Sequence, residues 1–190
     1  MAELDPLHAR LTEIRQVQSR PITDDALLAR MRTDATKWIN GIHAQGRRIL
    51  DDYEARGAEP GSLWQLEIDF YFLLVALTRL RRAVTRAAKI ASLQSDLDEY
   101  VDDFDIHLPY LKRLRNVSEH FDDYSVDRGR DLEVKRSQLQ KFAVYADEDG
   151  KPVWYWLGQE VRLVETQSAA VKLYRAFLAT ADGYNATAGY

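Results

Sequence analysis

Apolar residues recur at steps of three and four along most of this chain, a pattern that predicts a mainly helical protein. A short amphipathic helix is expected over residues 4–17. Thr23 and the two aspartates after it are typical of a helix start, and the long helix that follows is expected to end near Gly57. The apolar stripe of this long helix consists of Leu27, Met31, Ala35, Trp38, Ile42, Ile49 and Tyr53.

A second long helix is predicted from Ser62, which forms a Ser-x-x-Gln capping-box pattern with Gln65. Residues 68–77 are almost all apolar, but ten such residues are too few to span a bilayer, so they are expected at the centre of a bundle. The rest of this helix is rich in cations: Arg79, Arg81, Arg82, Arg86 and Lys89. They favour a solvated helix end, with an RNA-backbone or partner-protein surface as the alternative.

Two shorter helices are predicted next. The first begins at Ser95 and carries aspartates on its outer side. His107 near these aspartates raises a metal site as an alternative, but the spacing matches no known ligand pattern, so a solvated acidic face is favoured. The second begins at Pro109. Its core residues are expected to be Leu111, Leu114, Val117, Phe121 and Tyr124.

The pattern changes from helix to strand after residue 138. Residues 139–146 and 152–157 are rich in Phe, Val, Tyr and Trp, and residues 147–150 between them form a hairpin signal. Val161 to Val164 would add a third short strand. The aromatic run Trp154 to Trp156 suggests base stacking as an alternative, but covering the core on one face and a neighbouring helix on the other is favoured. A last helix is expected from Thr166 to about Gly183.

These elements predict one mainly α domain over residues 1–183, built as an antiparallel helical bundle. A β-hairpin or small antiparallel sheet, at about residues 138–158, is inserted before the C-terminal helix. Residues 184–190 are expected to be a frayed tail. A chain of 190 residues that is 46% apolar is long enough for a solid core.

Composition then limits the kinds of catalytic and binding site that the chain can form. The chain has no cysteine, which excludes disulfides, a thiol nucleophile and a Cys-ligated zinc site. A net charge of −4 argues against nonspecific coating of nucleic acid but permits a local basic site. The N-terminal residues lack the apolar run of a signal peptide, so a cytoplasmic location without membrane attachment is expected. No cofactor and no metal are expected.

The densest polar cluster lies on the helix after Pro109. Arg115, Asn116, Glu119, His120 and Asp123 spread over the side opposite the apolar positions. An imidazole titrates near neutral pH and suits acid–base catalysis. A guanidinium presents a fixed fork of donors that suits a phosphate. This combination points to chemistry on a phosphate ester.

The run Arg115-Asn116-Val117-Ser118-Glu119-His120 resembles the motif of the HEPN (higher eukaryotes and prokaryotes nucleotide-binding) superfamily. The resemblance implies an all-α bundle with this motif on one helix. Many family members are metal-independent endoribonucleases that act as dimers, often as toxins or antiviral effectors. The resemblance covers about six residues and carries over to Arg115, Asn116 and His120 only.

In the ribonuclease interpretation, His120 is the acid–base residue, Arg115 clamps the phosphate, and Asn116 orients the imidazole. Glu119, Asp123 and Tyr124 are supporting residues. Asp123 or Glu119 would hold the imidazolium or, equally, neutralise Arg115 and prevent it from binding a phosphate. Arg115 and His120 are about 140° apart on a regular helix, too far round to hold one phosphate together. A composite site across a homodimer is therefore expected. Contacts with RNA or a partner protein are expected from Arg79, Arg82, Arg86, Arg128 and Arg130.

The alternative is a non-catalytic protein-interaction or nucleotide-binding module, such as one member of a toxin–antitoxin or regulatory pair. Arg115 and Glu119 would then form an ordinary one-turn ion pair, and His120 would bond Asn116 or Asp123. An antitoxin or regulatory protein would dock on the arginine-rich helix end or on the Trp-rich hairpin. An unpaired, accessible His120 near the Arg115 of a symmetry-related copy favours the enzyme, whereas a buried Arg115 saturated by carboxylates favours the module.

Overall fold

A computed structural model describes residue 10 and residues 21–56 and 63–187. In these ranges the chain is mainly helical, and a small antiparallel sheet precedes the C-terminal helix, as predicted. Apart from residue 10, the helix expected over residues 4–17 lies outside the described residues, as does the capping residue Ser62. The same is true of residues 188–190 of the expected tail.

The long helices are α1 (Asp24–Arg56), α2 (Leu63–Ala87) and α7 (Leu163–Thr187). Between α2 and α7 lie the shorter helices α3 (Gln94–His107), α4 (Leu111–Glu119), α5 (Phe121–Ser125) and α6 (Arg136–Leu139). The strands β1 (Phe142–Ala146), β2 (Pro152–Trp156) and β3 (Gln159–Arg162) form a sheet in the order β1-β2-β3.

Helix α2 lies at the centre of the bundle, because α1, α3, α4 and α7 all pack against it. Phe70, Leu73, Leu74 and Leu77 are completely buried, and burial of each such side chain contributes about 1.5–3 kcal/mol. The outer side of α2 departs from the prediction, since Ile68 is 48% and Phe72 is 53% exposed. None of the helices within residues 21–56 and 63–187 is long and apolar enough to cross a bilayer.

The sheet covers the core with the aromatic residues of β2. Trp154 stacks on Phe70 of α2 with 5.3 Å between ring centroids, and Trp156 stacks on Trp154 at 5.5 Å. Both indoles are buried, whereas Tyr155 on the opposite face is 40% exposed. Coverage of the core on one face is therefore confirmed, whereas Tyr155, on the face that was expected against a neighbouring helix, is exposed.

The third strand is present but begins two residues earlier than predicted, at Gln159. Trp156 pairs with Gln159, which leaves only Leu157 and Gly158 to make the turn. Both turn residues have positive φ, 51° for Leu157 and 78° for Gly158, as in the tight turns that match strand twist. Leucine rarely adopts a positive φ, so the pair Leu157-Gly158 is not one of the sequence patterns that predict such a turn.

The start of α1 is confirmed, because the backbone N–H of Ala26 donates to Oγ1 of Thr23 at 3.3 Å. Three other predicted starts are wrong. One is Pro109, since α4 begins at Leu111 with Tyr110 at its N-cap. Helix α3 begins at Gln94 with Leu93 at its N-cap, so Ser95 lies inside the first turn. Helix α7 begins at Leu163, and Thr166 is fully buried within it, where its hydroxyl bonds that of Tyr110 at 3.0 Å.

The predicted end of the last helix is also wrong. Helix α7 continues through Gly183 to Thr187, so the first residues of the expected tail are helical. Gly183 has open space where a side chain would stand, and its carbonyl accepts a hydrogen bond from Oγ1 of Thr187 at 3.3 Å. Glycine weakens a helix by only about 1 kcal/mol relative to alanine, which is not enough by itself to end one.

Candidate functional site

The residues Arg115 to His120 lie where α4 ends and α5 begins. Helix α4 stops at Glu119, and His120 has φ −117° and ψ 30°, outside the helical range. The N–H of His120 still donates to the carbonyl of Asn116 at 3.1 Å, so the chain keeps a nearly helical path into α5. The single continuous helix predicted from Pro109 to Tyr124 is therefore wrong, because it is interrupted at His120.

The buried side of this segment agrees with the apolar pattern for Leu111, Leu114, Val117 and Tyr124. Phe121 is the exception, since it is 39% exposed. It directly follows the break at His120, so it no longer continues the buried stripe of α4.

His120 is accessible and has one carboxylate beside it. Its Nδ1 lies 3.5 Å from Oδ2 of Asp123, and the two side chains are 50% and 61% exposed. A carboxylate at Nδ1 favours the tautomer with the proton on that nitrogen. Nε2 then carries the lone pair that can accept a proton.

Asn116 does not orient His120, contrary to the prediction. Its Nδ2 donates to the hydroxyl of Tyr124 at 3.3 Å, and the backbone N–H of Asp131 donates to the same hydroxyl at 3.1 Å. Gly129 lies so close to the Tyr124 ring that a Cβ at this position would overlap it. Tyr124 is therefore the supporting residue that ties the loop after α5 to the end of α4.

A small cleft of about 50 Å³ forms around these groups and is called here the His120 cleft. Its lining residues are Asn116, His120, Asp123, Tyr124, Gly129 and Arg130. Arg130 is exposed, and no carboxylate pairs with it among the residues that the structure describes. The loop after α5 thus places the Arg130 side chain in the same cleft as His120.

Arg115 lies elsewhere, in a second cleft of about 360 Å³ between α2, the end of α3 and α4. This second cleft is called the cationic cleft, and its charged residues are Arg81, Arg82, Asp105, Lys112 and Arg115. The side chain of Arg115 is only 22% exposed and pairs with Glu119, one turn further along α4. Arg115 and His120 of the same chain therefore line different clefts, as their angular separation on a helix predicts.

Arg81 is also held by a carboxylate. Its Nε donates to Oδ1 of Asp105 at 2.6 Å, and its NH2 group donates to the other oxygen of the same carboxylate. These hydrogen bonds outweigh burial and raise the pKa of the Arg81 guanidinium above its usual value. Arg82 and Lys112 are exposed and have no such partner in the described ranges.

The other predicted RNA or partner contacts are scattered. Arg79 lies over the ring of Trp38 of α1, with 6.0 Å from its guanidinium carbon to the ring centroid. Arg86 and Arg128 are exposed but line neither cleft. Of the five cations that were predicted to contact RNA or a partner, only Arg82 and Arg130 share a cleft with a motif residue.

A third cleft, lined mainly by aromatic and apolar residues, was not predicted from the sequence. About 240 Å³ in volume, it is formed by Glu67, Ile68, Tyr71, Ser118, Phe121, Trp154 and Trp156. Partial burial raises the pKa of the Glu67 carboxyl group. The one sequence signal for this cleft was a carboxylate next to the apolar run of α2.

No group of three or more His, Asp or Glu side chains suited to a metal ion occurs in residues 21–56 and 63–187.

No protein-family model matches this chain, and neither a curated protein nor a solved structure shows significant similarity to it. The resemblance to the HEPN superfamily therefore stays a prediction that rests on Arg115, Asn116 and His120. Function has to be inferred from the chemistry of the clefts on either side of α4.

Proposed function

We propose that this protein is a metal-independent endoribonuclease in which His120 is the acid–base residue. The observation that carries this proposal is the composition of the His120 cleft. It combines a half-exposed imidazole, a carboxylate 3.5 Å from its Nδ1, and the guanidinium of Arg130 without a paired carboxylate. These groups are the ones that cleavage of RNA by its own 2′-hydroxyl requires.

In this reaction Nε2 of His120 takes the proton of the 2′-hydroxyl, and the 2′ oxygen attacks the adjacent phosphorus. The bond from phosphorus to the 5′ oxygen breaks, and that oxygen takes a proton from a water molecule, while the His120 imidazolium returns its own proton to solvent. Asp123 stabilises the imidazolium that forms, and Arg130 stabilises the charge that develops on the phosphoryl oxygens. The products are a 2′,3′-cyclic phosphate and a free 5′-hydroxyl.

A composite homodimer site is a further part of the proposal. Arg115 cannot serve the His120 cleft of its own subunit, because it lines the cationic cleft. In a twofold dimer, the partner subunit's Arg115 would add a second cation to the His120 cleft. Mixing His120→Ala and Arg115→Ala chains would then restore about a quarter of the wild-type sites, because half of the dimers are mixed and each holds one intact site.

The test is cleavage of single-stranded RNA in EDTA by wild-type protein and by His120→Ala, Arg130→Ala and Arg47→Ala variants. We expect a loss of 10²- to 10⁴-fold for His120→Ala, about tenfold or more for Arg130→Ala, and little change for Arg47→Ala. Arg47 is an exposed arginine of α1 that lines neither cleft, so it controls for general loss of charge. Cleavage that is indifferent to His120→Ala would disprove the assignment.

The second candidate is a non-catalytic interaction module of a toxin–antitoxin or regulatory system. The observation in its favour is the state of Arg115, which is mostly buried and neutralised by Glu119. In that case the wild-type protein would release no cyclic phosphate from any single-stranded RNA. The same experiment therefore separates the two candidates.

A further inference from the structure

We propose that the cationic cleft binds the phosphodiester backbone of single-stranded RNA and leads the strand to His120. That the bound strand is then cut rests on the proposed ribonuclease activity, but binding itself does not. The cleft is about 360 Å³ and is lined by Arg81 and Arg82 of α2 and by Lys112 and Arg115 of α4.

The charges of this cleft are not balanced. Asp105 neutralises Arg81, and Glu119 neutralises Arg115. Arg82 and Lys112 have no carboxylate partner among the described residues, so two positive charges remain between α2 and α4. Two phosphodiester groups would neutralise them, which matches the backbone of a short length of RNA.

The paired arginines can still contribute. A guanidinium has five N–H donors, and a carboxylate occupies only part of them. Asp105 and Glu119 also hold the two guanidinium groups in one orientation. A planar fork that is already oriented loses less conformational freedom when it binds a phosphate than an unpaired flexible side chain does.

Helix α4 connects the cationic cleft with the His120 cleft. Lys112 and Asn116 of α4 and His120 at its C-cap follow each other at four-residue steps. The N–H of His120 still donates to the carbonyl of Asn116, so the three residues lie on successive turns. Lys112 lines the cationic cleft, whereas Asn116 and His120 line the His120 cleft. The rise of a helix puts Lys112 and His120 about 12 Å apart along the axis, a distance that a strand of RNA covers in a few nucleotides.

This continuity favours RNA over an acidic protein segment as the occupant. An acidic segment would use the same two charges but would gain nothing from successive turns that lead to an imidazole. Pro109 also lines the cleft and is exposed, so it offers an apolar surface to a ribose ring.

The test uses a fluorescein-labelled 2′-O-methyl oligonucleotide, which lacks the attacking hydroxyl and cannot be cut. Its affinity for the full chain is measured by anisotropy in EDTA at several salt concentrations, for wild type, Arg82→Ala, Lys112→Ala and Arg47→Ala. We expect Arg82→Ala and Lys112→Ala to bind the oligonucleotide several-fold more weakly than wild type does. The slope of log K against log salt should fall by about 0.7 for each lost cation, and Arg47→Ala should keep the wild-type slope.

An equal slope in all four proteins would overturn the proposal. Stronger competition by an acidic peptide than by an unlabelled oligonucleotide would also overturn it, in favour of a protein partner. The two proposals fail separately. If Arg82→Ala binds weakly but His120→Ala does not affect cleavage, the cleft binds RNA and the proposed enzyme is wrong. If His120→Ala abolishes cleavage but Arg82→Ala binds as wild type, the enzyme stands and the proposed cleft is wrong.

Discussion

Nδ1 of His120 lies 3.5 Å from Oδ2 of Asp123, three residues further along the chain. In the proposed reaction this carboxylate stabilises the imidazolium that forms when His120 accepts a proton. Asp123→Asn should therefore slow cleavage about tenfold without changing the fold, since proton transfer as a whole contributes about 10²- to 10⁴-fold. The measurement is the single-turnover rate on one defined RNA, with thermal unfolding as the check of folding.

The neighbouring Asp122→Asn is the matched control for this first prediction. Its carboxylate does not line the His120 cleft, although the substitution removes the same charge from the same short helix. An equal loss of rate in both variants would mean that only the local negative charge matters, and would contradict the pairing of His120 with Asp123.

A second prediction concerns the contact between Gly129 and Tyr124. A methyl group on Gly129 would overlap the buried Tyr124 ring, so Gly129→Ala should destabilise the fold by about 1–3 kcal/mol. It should also slow cleavage, because Tyr124 accepts hydrogen bonds from Asn116 and from the backbone of Asp131 in the wall of the His120 cleft. Urea unfolding and cleavage rates measure the two effects.

Gly183→Ala serves as the comparison for this second prediction. The space around Gly183 is open and the residue lies inside α7, so alanine there should stabilise the fold by about 0.5–1 kcal/mol. Stabilisation by both substitutions would show that Tyr124 can move away at little cost.

A third prediction separates two neighbouring tryptophans. Nε1 of Trp156 donates to the carbonyl of Leu139 at 3.0 Å, whereas the buried Nε1 of Trp154 has no acceptor among the described residues. Both indoles are buried in the same aromatic stack. Replacement by phenylalanine removes a similar volume at each position, but only Trp156→Phe leaves a carbonyl unpaired. Trp156→Phe should therefore cost about 1–3 kcal/mol more than Trp154→Phe in chemical unfolding.

A fourth prediction follows from Glu67. Partial burial raises the pKa of its carboxyl group in the folded protein above the ordinary value of 4.5, so the folded state binds its proton more tightly than the unfolded chain does. The stability that this proton adds is present below pH 4.5 and is lost as pH rises through the folded pKa. Glu67→Gln should therefore melt at a higher temperature than wild type at pH 7, and the difference should vanish near pH 3.

Glu99→Gln, at an exposed position of α3, controls for the general loss of a carboxylate. A gain of the same size in both variants at pH 7 would trace the effect to net charge and not to the environment of Glu67.

Local patterns were sufficient for most of the fold. The apolar stripe of α1, the buried half of α2 and the aromatic run of β2 are each visible in residues near one another in the chain, and Met31, Phe70 and Trp154 are buried as these patterns predict. Element ends were less predictable. Ser95 and Thr166 have the chemistry of helix caps, but packing and the adjoining strand placed the helix starts elsewhere.

The sequence by itself determined the helical periods, the insertion of the sheet and the angle that separates Arg115 from His120 on a helix, because these depend on backbone geometry over a few residues. Only the tertiary structure decided which groups meet. It brought Arg130 back to His120, paired Arg81 with Asp105, and closed the third cleft around Glu67. Such contacts join residues that are distant along the chain, and no local pattern specifies them.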